Sequence, residues 1–179
     1  MIARLCLIFI CAMTLAAAPG GCMQSANVFR QENNPANLQA LCQEIHKAIF
    51  VTKDMEKAAT LWRSLLPDEE RAKKALREDI PAEPLQTILA FHKKLLDAPL
   101  TSETLPSLAK PEQTEVRVSS FTTEEMAADS PAKPYLRPGF TFYSVEFLEK
   151  DKNAGMRYHL FYWDGRQWTM LGPIWRAFR

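Results

Sequence analysis

"MRYHLFYWDGRQWTML", residues 156–171, decides the fold. Large apolar and aromatic residues flank Asp164-Gly165, a dipeptide that readily adopts the positive φ of a tight hairpin turn. The stretch predicts two antiparallel strands, 156–163 and 166–171, with Gly165 at positive φ in a type I′ turn. Across a two-residue turn Phe161 faces Trp168 and His159 faces Met170. His159, Phe161, Trp168 and Met170 then share one sheet face and form a candidate pocket. Tyr158, Leu160, Tyr162 and Leu171 take the other face.

Working outward, Gly172-Pro173 bends the chain, and "IWRAF" reads as a kinked or edge strand. Upstream, "FTFYSVEFLEK", 140–150, is a strand. From Glu115, Val116 and Val118 alternate with Arg117 and Ser119 in another. Two proline-bearing stretches, 97–113 and 122–138, read as long loops.

Before residue 97 the period is helical. Asn34-Pro35 offers an N-cap and a proline at N1, and Leu38, Leu41, Cys42, Ile45 and Ile49 follow at helical spacing over 35–50. A second helix starts after Thr52, with Asp54 in its first turn and a stripe of Met55, Ala58, Ala59, Trp62, Leu65 and Leu66. Pro67-Asp68 starts "DEERAKKAL", a short third. After Pro81 and Pro84 a fourth carries Leu85, Ile88, Leu89, His92, Leu95 and Leu96. Helices followed by antiparallel strands predict an α+β domain over 35–179, its N-terminal helices packed on one face of a curved sheet of about four strands.

"AIFVTKDMEKAATLW" and the closing "DGRQWTMLGP" resemble the opening helix pair and final hairpin of the NTF2-like, cystatin-like superfamily, over roughly residues 36–178. That likeness implies a cone-shaped pocket between sheet and helices. It transfers no catalytic residue, because no matching motif is present.

The start of the chain concerns location. Arg4 precedes Leu5–Ala18, an uncharged run of 14 residues. A spanning helix needs about 20, so the run fits the h-region of a secretory signal. It ends at Pro19-Gly20-Gly21-Cys22, which resembles the lipobox of bacterial lipoprotein precursors, with Pro19 where that pattern has leucine. The resemblance implies a signal peptide 1–21, acylation of Cys22, a tether 22–34, and a protein held to an envelope membrane by its lipid. Several acyl chains make such anchoring slow to reverse. The alternative is a cut after Gly20, giving a soluble periplasmic or secreted protein in which Cys22 could pair with Cys42. Cys6 and Cys11 leave with the signal in either case.

Removal of Arg4 takes Lys+Arg from 22 to 21, against 21 Asp+Glu. This near-neutral balance argues against a nucleic-acid partner. Cys42 and His46 lie one helical turn apart, half of a zinc site at most, and the other ligands are not visible, so no metal is assigned. His92 reads as a hydrogen-bonded core histidine. His159 among aromatics is the one candidate acid or base, though a structural hydrogen bond is the simpler role. No carboxylate pair, G-x-S-x-G elbow or glycine-rich loop appears, so neither catalytic residues nor cofactors are assigned. Trp163 beside Arg166 offers a cation–π contact.

The expected function is therefore a membrane-anchored envelope lipoprotein with a small binding or scaffolding domain. The alternatives are an NTF2-like ligand binder or enzyme, and a structural subunit pairing through its sheet. Because the helical stripes lie mostly on one side and can cover only one face, Tyr158, Tyr162 and Leu171 are the candidate face for a protein partner, a second copy, or a loop folded back.

Overall fold

The computed structural model describes residues 32–178. Expectations for the signal segment, Cys22 and residues 22–31 of the tether fall outside them.

Four helices lead: α1 Pro35–Phe50, α2 Met55–Leu65, α3 Glu69–Ala75 and α4 Ala82–Asp97. The first three open on side-chain caps. Asn34 accepts from Ala36 N, Asp54 from Lys57 N and Asp68 from Arg71 N. Each satisfies a backbone donor that the first helical turn leaves unpaired. Asp54 is thus the cap of α2 and not a first-turn residue.

Four strands follow as an antiparallel meander, β1 Glu115–Thr122, β2 Thr141–Leu148, β3 Gly155–Trp163 and β4 Trp168–Met170, in spatial order β1-β2-β3-β4. The class is α+β, as read from the sequence. "IWRAF" is not a strand: Ile174–Phe178 is a 3₁₀ turn whose Ile174 is fully buried.

Two details of the hairpin differ from the two-residue reading. Trp163 pairs with Trp168 and Phe161 with Met170, so the loop is Asp164–Gln167. Asp164 N donates to Gln167 O, and the Asp164 carboxylate accepts from Arg166 N and Gln167 N. By capturing two backbone donors, that side chain favours the longer loop over a type I′ turn. Gly165 does take positive φ, at 98°.

The second difference lies in β3. Val145 pairs with Tyr158 but Tyr143 pairs with Phe161, so β3 carries one extra residue opposite Ser144. Leu160 sits there at φ 62°. This bulge reverses the alternation upstream of it. Tyr158 therefore joins Phe161 on one face, while His159 moves to the face of Leu160 and Tyr162.

Both faces carry cores. On the first, α1 and α2 pack Leu38, Ile45, Ile49, Trp62 and Leu65 against Tyr143, Val145, Phe161, Trp168 and Met170. On the second, α3, α4, the 123–140 loop and the C-terminal turn bring Ala72, Leu76, Ile88, Leu136 and Ile174 onto Phe142, Leu160, Tyr162 and Leu171. The helices do not share one side. Arg71 on α3 bonds Trp168 O on the edge strand β4, and Tyr162 Oη donates to Arg71 O, so α3 closes that edge and leads the chain to the second face.

Candidate functional site

The second face changes character across its width. Strand register places Phe121 beside Phe142, Ser119 beside Ser144, and Arg117 beside Glu146, which in turn pairs with Arg157. The aromatic row is roofed by the second core. The serine row is not. Above it opens a groove of about 600 Å³, bounded by Phe121, Met126, Pro131, Leu160, Trp175 and His159, with Arg157 at its outer end.

Each wall has a local cause. The bulge at Leu160 turns His159 to this face, where its ring lies edge-on to Trp175 at 6.3 Å. Trp175 is delivered by the 3₁₀ turn, which packs against α4. The loop wall is pinned at several points. Lys133 Nζ donates to Glu124 O and Met126 O, Thr123 Oγ1 to Arg137 O, and Gly139 N to the Glu124 carboxylate. Ala132 is fully buried in the second core. A wall fixed before a ligand arrives reduces the entropy lost on binding.

On the floor the Ser119 and Ser144 hydroxyls lie 2.9 Å apart. Only one hydrogen is used between them, which leaves the other hydroxyl free to donate. Burial and the nearby Arg157 charge hold the His159 imidazole below its ordinary range, partly opposed by Glu146. At neutral pH it is therefore uncharged, with one donor and one acceptor nitrogen.

The predicted pocket set divides. His159 lines the groove, whereas Phe161, Trp168 and Met170 lie on the opposite face, each 3 % exposed or less, inside the first core. The bulge is the reason. Of the three occupants expected for the tyrosine face, the structure shows the folded-back loop, over Tyr162 and Leu171. Tyr162 and Leu171 are fully buried under α3 and the folded-back loop. Tyr158 sits on the first face, edge-on to Trp62, with its hydroxyl donating to Leu108 O. Burial pushes that hydroxyl up to about 12, with a smaller contribution from Cys42.

Other candidates resolve as structure. Cys42 is 1 % exposed in the first core, and burial raises its thiol to about 12, far from a reactive thiolate. His46 Nε2 lies 3.0 Å from Lys110 O and so ties α1 to the first long loop. No group of three or more metal-ligating side chains occurs among the described residues. His92 departs from expectation: it is 2 % exposed, and neither ring nitrogen meets a partner among the described residues. Burial lowers it to about 4. Trp163 stacks edge-on with Trp168, at 5.6 Å.

Sequence reasoning missed one cluster entirely. Arg71 donates through Nε to Asp164, through Nη1 to Leu66 O, and through Nη2 to Ser64 O and Thr169 Oγ1. Thr169 Oγ1 donates to Asp164, and Lys74 Nζ to Asp164 O. Burial alone would raise the Asp164 carboxyl. The N–H groups of Gln167 and Arg166, with Arg71 and Thr169, outweigh it and hold the group below the usual carboxylate range. Every strong donor here is answered within the fold, so the cluster locks α2, α3 and the hairpin together. The one sequence signal was an Asp at a turn that also had an arginine-bearing helix to pair with.

The chain matches no protein-family model, and comparisons with curated proteins and with solved structures return no match. No helix among the described residues is long and apolar enough to cross a membrane.

Proposed function

We propose that the chain is an exported binding protein, acylated at Cys22 and held to an envelope membrane, whose domain receives its ligand in the serine-floored groove. The observation that carries the binding role is selective exposure. On the second face the cover stops at the serine row, where Ser119 is exposed and a pinned loop and Trp175 form walls instead of a roof. A cavity of about 600 Å³ lies within the range of roughly 300–1,000 Å³ typical of small-molecule sites. The anchor is supported by the uncharged run Leu5–Ala18 and the small-small-Cys ending Gly20-Gly21-Cys22. Helices ahead of a four-stranded antiparallel sheet support the likeness to NTF2-like domains. The groove here lies on the face away from α1 and α2. The two serines pair with each other and not with His159, and this favours binding over activation of a serine nucleophile by His159.

Two measurements test the two halves. In a detergent phase separation the wild-type protein enters the detergent phase and Cys22→Ala remains aqueous. Equal aqueous partition removes the anchor. For the groove, the uncharged dye N-phenyl-1-naphthylamine brightens on binding the wild type. Ala127→Trp, at an exposed position on the groove wall, cuts that signal several-fold. Equal brightening in both proteins removes the groove as the site.

A further inference from the structure

The groove straddles a chemical boundary. Its inner part is walled by Phe121, Met126, Pro131, Leu160 and Trp175, and its outer end holds Arg157. Building on the groove as a binding site, we propose that its ligand is a monoanionic carboxylate with an apolar chain, the chain against Met126, Pro131 and Trp175 and the carboxylate at Arg157 and the serine pair.

The charge pattern selects the head group. No Asp or Glu lines the groove, and Arg157 is its one charged residue, His159 being neutral at pH 7. Arg157 gives both Nε and Nη2 to a single oxygen, Glu146 Oε1. A guanidinium has five N–H donors, so three remain for a second anion, and planar pairing with carboxylate is its strongest mode. Glu146 already offsets much of the Arg157 charge. The remaining Arg157 N–H donors, not net charge, therefore hold the anion, and a dianionic head would meet twice the repulsion from Glu146 that a single carboxylate meets. The free serine hydroxyl adds a neutral donor, and His159 can add another.

The apolar part follows from the walls. Met126 and Trp175 are only partly buried. Covering them with a chain gains roughly 25 cal/mol per Å² of apolar surface. The volume excludes a two-chain lipid held entirely within the groove and accommodates one medium-length chain or a small ring system.

The test uses detergent-free Cys22→Ala protein and displacement of N-phenyl-1-naphthylamine by decanoate, decanol and decyltrimethylammonium, each below its micelle concentration. Decanoate is expected to displace the dye at about tenfold lower concentration than decanol, with the cationic chain weakest. Arg157→Gln, and equally the Glu146→Gln/Arg157→Gln double variant that leaves no unpaired acid, removes the preference and leaves decanol unchanged. Arg117→Gln, in the same row but outside the groove lining, keeps it. Decanol matching decanoate, or a preference that survives Arg157→Gln, overturns the ligand class while the groove stands. Failure of the dye itself to bind overturns the groove, and the ligand class with it.

Discussion

Arg71 and His92 are opposite solutions to the same problem, a polar side chain taken out of water. Arg71 meets a partner at every nitrogen, and Asp164, its ion-pair partner, has a side chain only 2 % exposed. Breaking such a pair leaves a buried charge uncompensated, so Arg71→Ala should cost about 3–5 kcal/mol in urea unfolding. The folded Asp164 carboxyl is depressed. Its stabilisation is therefore complete above the unfolded value of about 3.9 and fades as pH falls through the lower folded value. Thr169→Val should move this acid loss to higher pH, because it removes a donor from the carboxylate. Among the described residues His92 has no hydrogen-bond partner, and its folded value of about 4 lies below the unfolded 6.5. The unfolded chain binds the extra proton between these limits, so stability is full above about 6.5 and declines as pH drops towards 4. His92→Leu should raise the melting temperature, by the equivalent of about 1–3 kcal/mol for unanswered buried nitrogens, and flatten that decline. A lower melting temperature with the slope intact would show that the nitrogens are satisfied after all.

At the scale of elements, Gly165 at φ 98° has open space around an added Cβ, so the cost of a side chain there is backbone strain alone. Gly165→Val should destabilise by roughly 1–3 kcal/mol in thermal unfolding, and Gly165→Asn by much less, because Asn tolerates positive φ. All four helices and all four strands could be read from spacing, caps and alternation, because those signals are local. Register could not. The two-residue loop failed because the Asp164 carboxylate reaches forward to two backbone donors, and nothing in a dipeptide rule includes that reach. The bulge failed because Leu160 carries no signature of positive φ; burial of its side chain in the second core holds it there. One shifted residue then scattered both proposed site sets. His159 alone was placed at a cavity, and Arg157, Ser119, Ser144 and Trp175 went unnoticed because strand register and the C-terminal turn bring them together.

At the scale of the molecule, large side chains on both sides of β2 and β3 were the clue that both faces are covered. The helices divide between the two, and the groove is the part of the second face that the division leaves open. The sheet is thus a partition between two packed layers of unequal strength. The α1–α2 layer buries seven residues of α1 alone, whereas α4 buries only Ile88 and His92 and spans both cores, with Leu85 and Leu89 against the second and Leu95 and Leu96 against the edge of the first. Amide hydrogen exchange should accordingly show α4 and the 123–140 loop opening well before β2 and β3, as a separate cooperative unit. A single shared exchange rate would mean that the layers melt together. Because Trp175 and the loop belong to the weaker layer, ligand occupancy would be reported as slowed exchange in α4, a helix that contributes no residue to the groove. A carboxylate in the groove would then act as a fastener for a helix it never touches, and resistance of α4 to proteolysis would become a measure of how full the groove is.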